Sequence, residues 1–368
     1  MQLRPFALER FFARYEFSVR HVLCASDCQT RTVGEVDALE PGLLERLASL
    51  PLGYVDSRGA PALREVLAGI YEQINREQVL VHAGAQEAIF WFYVAALVPG
   101  DEVVVHTPCY ASHREVPRAI GATVVPWRAD PARRFALDID ELEGLLSSRT
   151  RAIVVNVPHN PTGFIFERRA FERLARLAHD RGIILFSDEV FRECEHVEVL
   201  RLPAACDLTP TAVSLGVTSK TYGLAGLRVG WVATQNREVY EKLAALKDYS
   251  TICNSGPSEL IAEVAMRHRG ELARDNVALI QRNLDLLDAF FARWPDHFEW
   301  QRPSAGPVAF VKLLSGEVER FCHELVEATG VLLLPGTLFD DAGNRFRIGF
   351  GRADLPEALP RLESFLRR

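Results

Sequence analysis

Short runs of β-branched residues alternate along the chain with stretches of helical periodicity. The runs Val103 to His106, Thr123 to Val125, Ile153 to Val157, Ile183 to Phe186 and Ala212 to Val217 are almost continuously apolar. Continuous apolarity, rather than strict alternation, is what a strand needs when both its faces are covered, as in a parallel sheet. Between the runs, Leu63, Val66, Leu67 and Ile70 follow Pro61 at i, i+3, i+4 and i+7 spacing. Proline suits a first helical turn, where its missing N–H would have no partner. Phe171, Leu174, Ala175 and Ala178 repeat the stripe and stop before Gly182, which predicts a C-terminal cap. Asp138, with Glu141 three residues on, predicts a reciprocal capping pair for a helix through Leu146. Strand–helix–strand units of this kind predict an α/β fold built on one large parallel sheet with helices on both faces.

The C-terminal third has a different texture. Val277, Ile280, Leu284, Leu287 and Phe291 keep a 3-4-3-4 spacing. That spacing lasts only about two heptads, so it predicts one long helix packed on a sheet rather than a coiled coil. Across the chain, 368 residues with 48% apolar and 25% charged side chains can bury a large core in two or three lobes. Forty-two Lys plus Arg against 49 Asp plus Glu leave a net charge of -7, which makes nucleic acid a poor partner. No stretch reaches the roughly 20 apolar residues of a bilayer span, and the charges scattered through Met1 to Arg20 exclude a secretory h-region. The seven cysteines are odd in number and scattered, which predicts no disulfide framework and a cytoplasmic protein. Cys24 and Cys28 lack a second Cys or His pair for zinc and read as small buried apolar residues.

Two segments carry chemistry on their own terms. Ser219-Lys220-Thr-Tyr-Gly223-Leu-Ala-Gly226-Leu-Arg228-Val-Gly230-Trp231 takes a lysine off the end of an apolar strand into a glycine-rich turn. Ligands bind at such strand ends, and an enclosed lysine there loses its charge readily enough to act as nucleophile or base. Arg228 and the neighbouring hydroxyls Thr218 and Ser219 add an anion site beside that amine. His82-Ala-Gly84-Ala85-Gln86-Glu87 opens the apolar stretch Ala88 to Leu97 directly after a strand. The free N–H groups at a helix start make a phosphate cradle.

The lysine segment resembles the Schiff-base lysine motif of the fold-type I, pyridoxal-phosphate-dependent aminotransferases of class I and II. Six further segments match that family in order, and together they run from Tyr54 to Gly351. The resemblance implies a mostly parallel, seven-stranded-type sheet in a large cofactor-binding domain, residues 45–280. It pairs this with a smaller α+β domain made of residues 1–44 and 281–368. It also implies pyridoxal 5'-phosphate as cofactor, and an amino group moved between an α-amino acid and a 2-oxo acid.

Tyr54-Val-Asp-Ser-Arg-Gly59-Ala-Pro-Ala-Leu63-Arg64 resembles the element whose tyrosine reaches the cofactor phosphate of the other subunit, so Tyr54 implies a homodimer with shared sites. Ala85, Gln86, Ser219 and Arg228 would hold the phosphate of the same subunit. Tyr110 of Thr107-Pro108-Cys109-Tyr110 matches the aromatic that lies flat on the ring. Asn160, in Asn156-Val-Pro158-His159-Asn160-Pro161-Thr162-Gly163, matches the side chain that holds the ring oxygen. Asp188 would pair with the ring nitrogen and keep it protonated, so that the cofactor can accept electrons from the substrate. Lys220 would bind the cofactor as an imine and then move the substrate proton. Arg347, in Phe346-Arg347-Ile348-Gly349-Phe350-Gly351, matches the guanidinium that grips the substrate carboxylate. Arg345 and Arg352 compete with it, and strand alternation puts Arg345 on the same face as Arg347.

Three features modify the expectation. Phe191 stands where relatives carry a tyrosine that donates to the ring oxygen, so the lysine imine is expected to keep its proton to higher pH. Val217 stands where many relatives place a phosphate-binding Ser or Thr, with Ser219 or Thr218 as the substitute donor. Ser26-Asp27-Cys28-Gln29 and the segment from Lys247 to Asn254 are similar to capreomycidine-synthase-like relatives, which brings in a lyase or cyclase, C-S lyase-like chemistry included, as an alternative. A third reading is a non-catalytic, cofactor-binding sensor domain, but no helix-turn-helix extension precedes Met1 to Glu16. The pocket for the substrate side chain is expected from Cys24 to Thr30, Tyr222 and loops of the partner subunit.

Overall fold

A computed structural model describes residues 1–368. Its larger sheet has seven strands: β1 (Val79–His82), β2 (Glu102–Thr107), β3 (Thr123–Arg128), β4 (Thr150–Asn156), β5 (Ile184–Asp188), β6 (Ala212–Val217) and β7 (Gly230–Thr234). They lie in the order β1-β7-β6-β5-β4-β2-β3. The pairs β6–β5, β5–β4, β4–β2 and β2–β3 are parallel, and only β7 runs against its neighbours β1 and β6. The parallel strands therefore all end on one edge, where α/β sheets bind ligands.

Burial on both faces follows from the apolar runs. In β4, Ile153 and Val155 pack with Phe171, Leu174, Ala175 and Ala178 of the helix Arg168–Asp180. Ala152 and Val154 point the other way, onto Ala88, Ile89, Phe92 and Tyr93 of the helix Ala85–Ala96. Phe92 stacks on Phe186 of β5 at 4.1 Å between ring centroids. Each such buried side chain contributes about 1.5–3 kcal/mol relative to an exposed one, so the sheet is held from both sides.

Two local readings need correction. The run beginning at Thr123 does not have two covered faces. β3 is an edge strand with a single neighbour, and Trp127 is its one fully buried residue. The reciprocal capping pair is also absent: Asp138 caps the helix Ile139–Leu145 by accepting from Asp140 N at 2.9 Å and its second oxygen takes Arg133, while the Glu141 side chain makes no return bond to the cap. Gly182 does follow the Arg168–Asp180 helix with a left-handed φ of 64° and donates to His179 O.

A second sheet, in the order β10-β11-β9-β8, holds β8 (Phe298–Glu299), β9 (Val308–Leu313), β10 (Leu334–Pro335) and β11 (Arg345–Gly349). Its core joins Leu287, Phe290 and Phe291 of the helix Arg269–Ala292 to Val311, Phe346 and Ile348. Earlier in that helix Leu272 and Ala273 pack instead with Leu63, Leu67 and Val79 beside the large sheet. Val277 is only half-buried, because Asn276 takes the inward position and donates to Thr221 O at 2.9 Å. The N-terminal segment is divided too: Leu23 and Cys28 belong to the second core, whereas Val36 and Leu43 pack with the large sheet. Cys24 and Cys28 are fully buried.

Candidate active site

A cavity of about 360 Å³ opens at the carboxyl edge of the parallel strands. The turn after β1 brings Ala85 and Gln86 to it, the turn after β2 brings Tyr110, the end of β4 and the turn beyond it bring Asn156 and Asn160, and the end of β5 brings Asp188. The turn after β6 adds Ser219, Lys220 and Arg228, and β11 sends in Arg347 from the second sheet. Nine of the ten residues singled out in the sequence thus line one space. Tyr54 is the exception, lying outside the cavity with 90% of its surface exposed.

The anion cradle is made largely of backbone. No side chain caps the Ala85–Ala96 helix, so the N–H groups of its first turn are free beside the Arg228 guanidinium. A Cβ on Gly84 would fall 2.5 Å from Arg228 Nη2, and one on Gly230 would fall 2.7 Å from Ala85 N. Glycine at both positions is what lets strand, turn and guanidinium close around a small anion. Arg228 Nη1 donates to Ser219 Oγ at 3.4 Å and to Ala225 O at 3.1 Å. Thr218 is fully buried and donates to Val229 O, which leaves Ser219 as the hydroxyl on the cavity.

Lys220 Nζ donates to Ser26 Oγ at 2.8 Å, and burial lowers its pKa below the ordinary lysine value despite Asp27 and Asp188 nearby. Asp188, 6% exposed, is held by three contacts: Val190 N donates to Oδ1 at 3.2 Å, His113 Nε2 lies 3.2 Å from Oδ2, and Asn156 Nδ2 donates to its carbonyl at 2.9 Å. Tyr93 OH lies 3.0 Å from His113 Nδ1 and continues the chain inward. Asn156 Oδ1 in turn accepts from Asn160 N at 2.6 Å, so one side chain sets both the acid and the amide. Neither His113 nor Asn156 was given a role from the sequence; Asn156 stands inside the motif read for Asn160, whereas His113 lies three residues beyond the motif that ends at Tyr110.

Arg347 is 2% exposed and donates through Nε and Nη2 to Cys24 O at 3.1 and 2.7 Å. Its Nη1 donates to Asn160 Oδ1 at 3.0 Å, which leaves the Asn160 Nδ2 donors for another partner. The competing arginines are accounted for otherwise. Arg345 pairs with Asp341, lies over the Phe135 ring and does not line the cavity. Arg352 does line it, but both oxygens of Asp27 neutralise it at 3.1 and 2.9 Å.

The expected side-chain pocket is corrected in part. Ala25, Ser26 and Asp27 line the cavity, but Cys24, Cys28, Gln29 and Thr30 do not. Tyr222 is buried away from it, in the core with Leu224, Val229 and Trp231, and donates to Glu193 at 3.2 Å. In its place stands the helix Ala7–Tyr15, which with the following residue contributes Leu8, Glu9, Phe12 and Glu16. Tyr110 OH donates to Glu9 Oε1 at 2.9 Å, and burial next to that carboxylate holds the phenol protonated well above its ordinary pKa. The sequence shows Glu9, Phe12 and Glu16 at i, i+3 and i+7, one helix face, but not what the face meets.

Cradle, enclosed amine, buried acid and guanidinium together fit a phosphorylated aromatic aldehyde and an amino acid. A family model described as aminotransferase class I and II matches residues 34–362. Capreomycidine synthase of Streptomyces vinaceus is 32% identical over 93% of this chain and 88% of its own length. An aspartate aminotransferase of Thermotoga maritima is 31% identical over 91% of this chain and 90% of its own. Among solved structures, a PLP-dependent aminotransferase from Streptococcus suis superimposes with a TM-score of 0.94 at 30% identity, covering 100% of this chain and 99% of that one. The PLP-dependent cyclase OrfR superimposes with a TM-score of 0.90 at 34% identity, covering 100% and 98%. The chain belongs to the class I and II aminotransferase family. It is a pyridoxal-phosphate-dependent enzyme of the transferase class with the fold-type I architecture.

Proposed function

We propose that each residue singled out on the cavity has a defined task in moving an amino group between an α-amino acid and a 2-oxo acid. Bound pyridoxal phosphate supplies the electron sink that makes the substrate α-proton removable. Lys220 Nζ anchors the cofactor and, once displaced by the substrate amine, carries the proton to and from the substrate α-carbon. Asp188, fixed by His113 and Asn156, keeps the ring nitrogen protonated. Ala85, Gln86, Ser219 and Arg228 hold the phosphate, Tyr110 covers the ring and Asn160 donates to its oxygen. Arg347 receives the substrate carboxylate and fixes which face of the α-carbon meets Lys220.

The observation that carries this reading is the enclosed lysine amine in one cavity with Asp188, a helix-start cradle and Arg347. The exposure of Tyr54 supports a homodimer in which this ring completes the partner's phosphate site. Residues 45–280 would form the body of the cofactor-binding lobe and 1–44 with 281–368 the smaller one, with Val36 and Leu43 of the N-terminal segment packed on the larger lobe. No helix is long and apolar enough to cross a membrane, and six of the seven cysteines are buried free thiols, which supports a cytoplasmic setting. The likeness to a cyclase and to capreomycidine synthase keeps elimination or cyclisation as the second reading.

Borohydride reduction of the loaded protein followed by peptide mass mapping should find the cofactor mass on residue 220, and Lys220→Ala should remove it. A protein that stays colourless with pyridoxal phosphate refutes the reading. Stoichiometric consumption of a 2-oxo acid identifies transamination, whereas turnover without one identifies the second reading.

A further inference from the structure

We propose that the substrate amino acid carries a cationic side chain, ammonium or guanidinium, and that Glu9 and Glu16 on the N-terminal helix segment recognise it. This rests on the reading of the cavity given above and names the substrate class that it takes.

The charges on the cavity wall are four acids, Glu9, Glu16, Asp27 and Asp188, and four bases, Lys220, Arg228, Arg347 and Arg352. Most are matched. Asp27 and Arg352 neutralise one another through two hydrogen bonds. Asp188 meets the ring nitrogen, Arg228 the phosphate and Arg347 the substrate carboxylate, while Lys220 works as a neutral amine. Glu9 and Glu16 remain. Neither has a cationic partner within 4.0 Å: Glu9 accepts from the Tyr110 phenol through one oxygen, and the Glu16 side chain makes no hydrogen bond.

The two acids are also placed together. Glu9, Phe12 and Glu16 follow i, i+3, i+7 spacing, so the helix presents a carboxylate, an aromatic ring and a second carboxylate along one face. Burial is the largest influence on Glu16 and, with Asp27 and Glu9 nearby, raises its pKa against the opposing pull of Arg352 and Lys220. Leu8 and Phe12 form the apolar part of the same wall and suit the methylenes of a long side chain. A substrate held by its carboxylate at Arg347 and its amine at Lys220 has this wall left for its side chain. An acidic side chain would meet two like charges there, whereas an ammonium or guanidinium supplies the missing partner.

The test uses the holoenzyme and reads dissociation constants from the absorbance change of the bound cofactor with L-alanine, L-norleucine, L-lysine, L-arginine and L-glutamate. Lysine or arginine should bind about tenfold or more tightly than norleucine, which shares an aliphatic stem, and glutamate should bind weakest. Glu16→Gln and Glu9→Gln should each shrink the cation-to-norleucine ratio, and Glu16→Arg should shift preference towards glutamate. Equal binding of norleucine and the cations, or a preference for glutamate in the unmodified enzyme, overturns the proposal and leaves the aminotransferase reading intact. Failure of every amino acid to change the spectrum overturns both.

Discussion

Replacing Gly230 with alanine tests whether the phosphate cradle depends on backbone touching backbone. Gly230 begins β7 and pairs with His82 on one side and Val217 on the other, so sheet hydrogen bonding fixes its position. A Cβ built on it would lie 2.6 Å from Gly84 C and 2.7 Å from Ala85 N. Ordinary contact begins at 3.4 Å, so the turn must retreat by 3.4 - 2.6 = 0.8 Å. The atoms in the way are main chain and cannot swing aside as a side chain would. Overpacking of this kind costs about 1–3 kcal/mol of folding stability. It also moves the first N–H groups of the Ala85–Ala96 helix away from the phosphate. Weakening one or two charge-assisted hydrogen bonds, each worth about 1.5–3 kcal/mol, should lower cofactor affinity at least about tenfold. Urea denaturation of the cofactor-free protein reads the first effect, and fluorimetric titration with pyridoxal phosphate reads the second. Gly226→Ala is the control, since a Cβ there meets nothing within 4 Å in the same loop and should be near neutral. If Gly230→Ala matches Gly226→Ala in both measurements, the close approach is not what shapes the cradle.

Phe191 lines the cavity where a tyrosine would donate to the ring oxygen. Phe191→Tyr should therefore lower the spectral pKa of the lysine-bound cofactor by about 1–2 units, and an unchanged or raised value contradicts that role. Glu87 sits at the start of the cradle helix. Burial would push its carboxyl up, but His82, Ser250 and the Ala83 N–H prevail and hold it at about 2, against an ordinary 4.5. Its stabilising contribution is then complete above pH 4.5 and lost as pH falls through about 2. Glu87→Gln should cost about 1–2 kcal/mol at neutral pH in denaturant melts, with the difference from the parent narrowing below pH 4.5; a pH-independent cost counts against the carboxylate.

Much of this protein is legible without coordinates. Two-sided burial makes the middle of β4, Ala152 to Val155, continuously apolar and β6 nearly so, and the helix Arg168–Asp180 shows its inward stripe at 3.6-residue spacing, because those patterns are local consequences of period and burial. The lysine turn and the glycines before the Ala85–Ala96 helix are likewise local, since strand ends and helix starts make their sites from consecutive residues. What only the tertiary structure decided lies between segments far apart in the chain. Tyr110 meets Glu9 across 101 positions, Lys220 meets Ser26 across 194, and Arg347 meets Cys24 across 323. Periodicity carries no information about such pairs, so the N-terminal helix reads as ordinary mixed charge until the fold lays it over the cavity. For the same reason Arg345 and Arg347 share a strand and an alternation, yet Asp341 claims one while the other is left facing the site.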